Sequence, residues 1–401
     1  MRIGLFTDCY YPQVNGVVTS VMLLKESLEE LGHDVFVITV KIPNYDGSEE
    51  KNIIRVPSVP FAKWREFRVG IPTFFHRSFY QIQSLNLDVI HTHTEFSLGL
   101  LGRFIAKTFR LPITHTYHTM YEDYTHYVSN LGQPMVKSLM QISSKFYVQG
   151  YDVVIVPSKK TQSALRSYGV TNDIVILPTG INVKQFERLD RENETVKTLL
   201  EHYGYDKNAK VLLSLGRISK EKSIDFLIES MPELIQKDSN IRLLIVGDGP
   251  YKVFLEEMVS KLNLSQYIRF AGRIPFNEVI NYYSLADIFV NASKTETQGL
   301  TIFEAMASNL PVIVFDDDNV ADVVIDHESG RLFTDREGYI QAVMDDFASP
   351  FETKAMAKKG KEIVDSLSKE SFALNMQDIY QKIIQLKKES KSDISFFPWE
   401  E

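Results

Sequence analysis

The sequence predicts an α/β protein made of two doubly wound domains with parallel sheets, and three observations predict it. The chain has 401 residues, more than one ordinary core accommodates, so two domains of roughly 150 to 200 residues are expected. Short apolar runs alternate with longer stretches of helical periodicity. The alternation passes once through the first half, breaks at a polar segment and begins again. Strand then helix then strand implies parallel pairing, and such open sheets bind ligands at the carboxyl ends of their strands.

In order, Arg2 to Thr7 reads as a buried strand, Val17 to Leu31 as an amphipathic helix closed by Gly32, and Asp34 to Val40 as a second strand. Asp88 to His91 and Ile113 to Thr116 are further strands, followed by a helix from about Pro134 to Gly150, the strand Val153 to Val156, a helix opened by Ser158, and the strand Ile174 to Leu177. Val183 to Asn208, rich in Glu, Arg, Asn and Lys, reads as a surface linker carrying a helix. Beyond it the strand candidates are Val211 to Leu215, Ile241 to Val246, Ile268 to Ala271, Ile288 to Val290 and Val312 to Phe315, separated by helices around 223–237, 250–263, 276–284 and 301–308. The expected division is 1–185, 186–370, and a C-terminal helix with a tail over 371–401.

Composition narrows the class. With 44% hydrophobic and 24% charged residues the chain is globular, and its single cysteine, Cys9, excludes an intramolecular disulfide and a cysteine-built metal site. The start lacks the long apolar stretch of a secretory signal, and no segment runs about 18 apolar residues, so a location in the cytoplasm or on its membrane face is expected. Charge is divided unevenly: residues 1–180 hold 17 basic against 15 acidic side chains and residues 181–401 hold 27 against 37, making the net charge of −8. Between 51 and 85, Lys51, Arg55, Lys63, Arg65, Arg68 and Arg77 face Glu66 alone and interleave with Phe61, Trp64, Phe67, Phe74, Phe75, Phe79 and Tyr80. Cations mixed with Trp and Phe suit the headgroup zone of an anionic bilayer, whereas the acidic whole argues against nucleic acid. Core aromatics ringed by solvated basic residues would show the same pattern.

The segment Thr295 to Ile313, TETQGLTIFEAMASNLPVI, places Glu296 and Glu304 eight residues apart across a glycine turn that leads into a helix. Ionised carboxylates accept hydrogen bonds from vicinal hydroxyls, and the amides of Gly299, Leu300 and Thr301 open a helix toward an anion or a sugar oxygen. Such a set suits a nucleotide sugar. Arg217 and Lys222, five residues apart after a strand end and Gly216, can converge to compensate a diphosphate leaving group. The turn Gly247-Asp248-Gly249 permits close backbone approach to a nucleotide, and Gly16, in the turn Pro12 to Val17, precedes a helix whose amides could meet a distal phosphate.

The Glu296 to Glu304 string resembles the Glu-x7-Glu signature of retaining nucleotide-sugar glycosyltransferases of family four, and Arg217 with Lys222 matches their Arg-x4-Lys. The resemblance implies that Glu296 and the following amides meet the donor sugar, that Glu304 holds the ribose, and that His118, in THTYHTMYEDYTHY, reaches the donor sugar at the reaction centre. Tyr117 to Tyr124, with Tyr121 and Tyr124, and PQVNGVVTS near the start look like the bacterial diacylglycerol glucosyltransferases within that family. That likeness implies the GT-B fold, two facing Rossmann-like domains with a helix at about 371–389 crossing back to the first. It also implies a UDP-glucose donor, a diacylglycerol acceptor held by the first domain, an anionic membrane surface as partner with Trp64, Arg65, Phe67 and Arg68 as candidates, a peripheral place on the cytoplasmic face, and no cofactor or essential metal.

Five of the nine histidines, His91, His93, His115, His118 and His126, lie within 36 positions, but without a cysteine or a carboxylate set they do not read as a metal site; packing is the expectation for all but His118. Asp316-Asp317-Asp318 reads as a solvated loop. A soluble or cell-envelope sugar or polysaccharide transferase, and a UDP-sugar epimerase of the same fold, remain as alternatives.

Overall fold

A computed structural model of the chain describes residues 1–394 apart from 14, 46, 48–50, 62–63, 72–76 and 119–132, with the backbone alone at 61, 64–67, 133–136 and 390–394. The chain divides into one unit of Met1–Gly180 with Lys369–Glu401 and another of Ile181–Ser368. In the first, the elements run β1 (Arg2–Phe6), α1 (Gly16–Glu30), β2 (Asp34–Val40), β3 (Ile53–Val56), β4 (Ser58–Phe61), β5 (Trp64–Gly70), α2 (Arg77–Ser84), β6 (Val89–Thr92), α3 (Ser97–Phe109), β7 (Ile113–Thr116), α4 (Gln133–Val148), β8 (Val153–Val156), α5 (Lys159–Ser167) and β9 (Asp173–Ile176). Seven strands form a parallel sheet in the order β3-β2-β1-β6-β7-β8-β9, with Leu5 of β1 beside Val37 on one flank and His91 on the other. The apolar runs read as strands are buried on both faces, as a sheet covered by helices on both sides requires.

The second unit continues with α6 (Glu194–His202), β10 (Lys210–Leu215), α7 (Ile224–Lys237), β11 (Ile241–Val246), α8 (Lys252–Lys261), β12 (Ile268–Gly272), α9 (Val279–Leu285), β13 (Ile288–Asn291), α10 (Leu300–Ala307), β14 (Val312–Phe315), β15 (Arg331–Phe333), α11 (Arg336–Ala348) and α12 (Pro350–Asp365). Its six parallel strands lie in the order β12-β11-β10-β13-β14-β15. One face buries Leu212, Leu243, Ile288 and Ile313 under α7, α8 and α11, and the other buries Leu213, Leu244, Phe289 and Val312 under α6, α9 and α10. Each fully buried Leu, Ile or Phe contributes about 1.5 to 3 kcal/mol, so these two layers dominate the stability of the unit.

The last helix, α13 (Lys369–Ile394), belongs to the first unit. Its Phe372, Met376, Tyr380 and Ile383 pack with Leu24 and Leu28 of α1, and Lys369 meets Glu26 and Glu30 of α1 at 2.8 Å each. Both units are Rossmann-like and the architecture is that of the GT-B class, with the C-terminal helix returned to the first unit as expected. Among the described residues no helix is long and apolar enough to cross a membrane.

The structure corrects the linker between the halves. Phe186, Val196, Leu200 and Tyr203 are buried in the core of the second unit, so residues 183–208 are a packed part of it. Its charged residues occupy the outer side of α6 and hide a four-position apolar stripe in the composition. The sequence reading also lacked β3, the antiparallel β4–β5 hairpin, α2, α3, β15, α11 and α12.

Candidate active site

Each sheet reverses direction once, between β10 and β13 in the second unit and between β1 and β6 in the first. These are the switch points at which doubly wound sheets leave a crevice above the strand ends. Arg217 and Lys222 follow β10 and Glu296 follows β13, so three expected site residues meet at the switch point of the second unit.

Lys222 Nζ donates to Glu296 Oε1 at 2.6 Å, and Asn291 Nδ2 reaches the same oxygen at 3.4 Å. Burial alone would raise the Glu296 carboxyl, but Lys222 and its hydrogen bonds bring it below the ordinary value, so Glu296 is ionised at neutral pH. Asn319 donates its amide to the Glu296 backbone carbonyl and fixes the turn before α10. Arg217 Nη2 meets the buried Glu221 at 2.5 Å while keeping 44% of its own side chain exposed, so one end of the guanidinium is anchored and the rest faces solvent. Gly299 caps α10 with φ of 76°, a left-handed conformation that favours glycine. The amides of Leu300 and Thr301 precede the first bond of the helix, Ile302 N to Gly299 O at 2.8 Å.

Glu304, one turn further along α10, is buried with a single oxygen accepting from the Tyr283 hydroxyl at 2.8 Å. Burial pushes its carboxyl up to about 7, against the opposing pull of that hydroxyl. The loops after β10 and β11 close on each other: Gly216 N donates to Val246 O at 3.0 Å and Ile218 N to Asp248 O at 2.9 Å. A Cβ at Gly247, whose φ is 136°, would lie 1.8 Å from the Gly216 carbonyl oxygen, so this glycine and its neighbour Gly249 are demanded by loop-to-loop contact within the protein. Asp248 accepts from the Gly249 amide at 2.9 Å.

In the first unit Gly16 opens α1, whose cap Asn15 accepts from Val18 N at 3.0 Å. His118, after β7, is partly exposed, and its Nε2 lies 3.0 Å from His93 Nδ1. Burial and the neighbouring His115 lower its imidazole to about 3, so it is neutral across the physiological range. His91 and His115 are fully buried and hydrogen-bonded inside the fold. Asp8, two residues beyond β1 and not among the residues the sequence singled out, is a buried side chain whose carboxyl accepts from Thr94 Oγ1 at 2.6 Å, from Ser97 Oγ, and from Leu98 N at 3.2 Å, locking the end of β1 to the start of α3.

The acceptor and membrane candidates are placed unevenly. Tyr121, Tyr124, His126, Lys63, Phe74 and Phe75 lie outside the described residues. Trp64, Arg65 and Phe67 are described only as backbone of β5. Arg68 donates to Ser58 Oγ at 2.7 Å and Ser58 O at 2.8 Å across the β4–β5 hairpin, and to Lys41 O at 3.1 Å. Its guanidinium therefore stitches the hairpin together. Asp317 of the acidic triplet is buried and turns back on Asn319 N at 2.8 Å, while Asp316 and Asp318 are exposed.

Two Rossmann-like units with cations and carboxylates at a switch point suit a glycosyltransferase, and the comparisons show that class. Residues 14–185 match the Glycosyltransferase Family 4 model and residues 196–362 match Glycosyl transferases group 1; the chain belongs to family 4. It is similar to the alpha-monoglucosyldiacylglycerol synthase of Acholeplasma laidlawii, 38% identical over 96% of this chain and 98% of the relative. The protein of the same name from Streptococcus pneumoniae is 37% identical over 95% of this chain and 85% of its own length. Among solved structures, sucrose-phosphate synthase from Thermosynechococcus elongatus superposes with a TM-score of 0.76 at 24% identity over 96% and 99% of the two chains. HepE of Anabaena in complex with UDP and glucose gives 0.75 at 15% identity over 95% and 99%. At these identities the structural likeness bears on the fold.

Proposed function

We infer that the chain is a retaining hexosyltransferase that moves glucose from UDP-glucose onto 1,2-diacylglycerol at the cytoplasmic face of an anionic membrane, without a metal. The observation that carries this reading is the 2.6 Å pairing of Lys222 with Glu296 at the second switch point, with Arg217 anchored on Glu221 in the loop after the same strand as Lys222, in a chain whose relatives at 37 and 38% identity are named for monoglucosyldiacylglycerol synthesis. Arg217 and Lys222 supply positive charge as the diphosphate leaves, which takes the place of a divalent cation. The α10 amides and Glu296 meet the sugar, and ionised Glu304 accepts from ribose hydroxyls.

The membrane part of the reading is supported by the helical layer α2 to α5. Together these helices carry Arg77, Arg103, Lys107, Lys137, Lys145, Lys159, Lys160 and Arg166 and no Asp or Glu, in a chain of net charge −8. Phe96 at the N-cap of α3 with Leu100 and Phe104 on it, and Leu139, Ile142 and Phe146 on α4, are 44 to 72% exposed. Each set falls on one stripe of its helix, and the helices are joined by Arg103 Nη1 donating to Tyr147 O at 2.7 Å. Acid-free helices with two outward apolar stripes suit the interface of an anionic bilayer.

The test is a radiolabelled panel of UDP-glucose, UDP-galactose and GDP-mannose against vesicles of diacylglycerol or monoglucosyl-diacylglycerol in phosphatidylglycerol, with lipid products resolved by chromatography and the anomer assigned by NMR. The expected product is the α-glucosyl-diacylglycerol from UDP-glucose. Absence of any labelled lipid with every donor would overturn the acceptor, and a β-linked product would overturn retention.

A further inference from the structure

His91 near the end of β6, His93 just beyond it and His118 after β7 form an ordered stack. His91 is fully buried; its Nδ1 lies 2.7 Å from Tyr380 Oη of α13 and its Nε2 2.7 Å from Thr116 Oγ1. The ring of His93 lies on that of His91 with centroids 4.0 Å apart, and His118 stacks on His93 at 5.3 Å with the rings 23° apart. The only polar link between His93 and His118 is the 3.0 Å contact from Nδ1 to Nε2. The other nitrogen of His93, Nε2, is buried and has no hydrogen-bond partner.

Proton placement follows from these contacts. Burial and the neighbouring imidazoles hold His93 and His118 neutral, so each carries one N–H and a single proton lies between them. Were that proton on His118, His93 would carry its own at the unpartnered Nε2, leaving a buried N–H orphaned. Orphaned N–H groups are rarer in proteins than under-used acceptors, so the lone pair belongs at Nε2 and the N–H at Nδ1. Tyr380 Oη has one partner, so its proton goes to His91 Nδ1, and His91 Nε2–H turns to Thr116. Every ring nitrogen of the stack then has an assigned role, except the Nδ1–H of the partly exposed His118.

We propose that His93 is a positioning residue that fixes the tautomer of His118: its Nδ1–H donates to His118 Nε2, so that His118 offers a neutral Nδ1–H as a donor to a sugar oxygen, with Tyr380 of the C-terminal helix holding the stack from behind. His118 is thus a hydrogen-bond donor at the reaction centre and does not act as a proton acceptor through Nε2. This rests on the placing of His118 at the donor sugar.

Two measurements test it. In uniformly 15N-histidine-labelled protein, the His118 signal, assigned by its loss in His118→Gln, is expected to show the Nδ1–H tautomer in the wild type and a mixture in His93→Phe. His93→Phe keeps an aromatic ring on His91 and removes the bond. Its kcat is expected to fall roughly 10- to 100-fold with the KM for UDP-glucose and the melting temperature little changed. His93→Asn, which restores a short N–H donor near the position of Nδ1, is expected to recover most of the loss. An Nε2–H tautomer for wild-type His118 would overturn the proposal, as would a wild-type kcat in His93→Phe. The tautomer is read without substrate, so a lipid panel that fails while His118 shows Nδ1–H removes the proposed function and leaves this inference standing.

Discussion

The ribose contact proposed for Glu304 predicts that donor binding depends on pH. Burial among Tyr283 and the apolar side of α10 raises its carboxyl from 4.5 to about 7. A ribose hydroxyl pair donates both of its protons only to the ionised form, because the protonated carboxyl keeps one acceptor oxygen beside an O–H donor, so donor binding is expected to favour release of the proton where Glu304 is protonated. With a value of about 7, about a tenth of the free protein is ionised at pH 6 and about nine tenths at pH 8, so the donor Kd is expected to weaken about tenfold from pH 8 to pH 6. The sign for stability is opposite. A carboxyl raised in the folded state favours folding in acid, and that contribution is lost as pH rises from 4.5 through about 7, amounting to about 3 kcal/mol. Glu304→Gln removes the buried charge and keeps an acceptor for Tyr283, so its melting temperature at pH 8 should exceed the wild type's by roughly 5 to 10 °C. Calorimetry with UDP-glucose, whose diphosphate does not titrate in this window, is the assay, in buffers of different ionisation enthalpy to count protons released. A wild-type Kd flat between pH 6 and pH 8, or a Glu304→Gln variant with the same slope as the wild type, would refute the reasoning.

The remaining expectations concern leaving-group charge, the membrane and metal. Arg217→Ala and Lys222→Ala should each lower kcat by about 2 to 4 orders of magnitude, because each removes charge that strengthens as the glycosidic bond breaks; near-wild-type turnover in both would show that the cations serve Glu221 and Glu296 alone. Replacing Leu100, Phe104, Leu139 and Phe146 together by Ser should lower the partition coefficient onto phosphatidylglycerol vesicles roughly 100-fold or more, taking half of the about 1.5 to 3 kcal/mol for burying each side chain, while UDP-glucose affinity in solution stays constant. Wild-type binding should weaken with salt, since each Lys or Arg near the surface contributes roughly 1 kcal/mol and is screened within a Debye length. Turnover after dialysis against EDTA should equal that of the untreated protein, and restoration by added magnesium would contradict a metal-free mechanism.

Much of the fold was legible because parallel strands buried on both faces leave short, nearly continuous apolar runs. Arg2 to Phe6, Asp34 to Val40 and Val312 to Phe315 were readable for that reason. The missed elements fail the rule in identifiable ways. Helix α3, SLGLLGRFIAKTF, is apolar on its core side and also outward at Leu100 and Phe104, so no period of 3.6 stands out. The same outward residues that blurred the pattern carry the proposed membrane face. Strand β15 has only three residues, too few for a period. The segment 183–208 failed for the reverse reason, because polar outer positions on α6 outnumbered the buried Val196 and Leu200.

The site was legible where chemistry repeats in sequence and hidden where it depends on packing. The spacing of Glu296 to Glu304 and of Arg217 to Lys222 marked the second unit, but nothing in the string said that Lys222 meets Glu296 or that Tyr283, 21 positions before Glu304, is its partner. His93 and Tyr380 are 287 positions apart and join only through His91, a link no local pattern carries. The two switch points also differ in kind. The second unit gathers paired charges, Lys222 with Glu296 and Arg217 with Glu221, beside one carboxyl poised near neutrality. The first gathers imidazoles kept neutral by burial and by one another's proximity. A diphosphate brings charge that must be compensated, whereas a hexose brings hydroxyls that need oriented neutral partners. That contrast follows from burial and pairing; under the proposed function the second unit meets the diphosphate and the ribose, and the first adds an oriented neutral donor for the sugar.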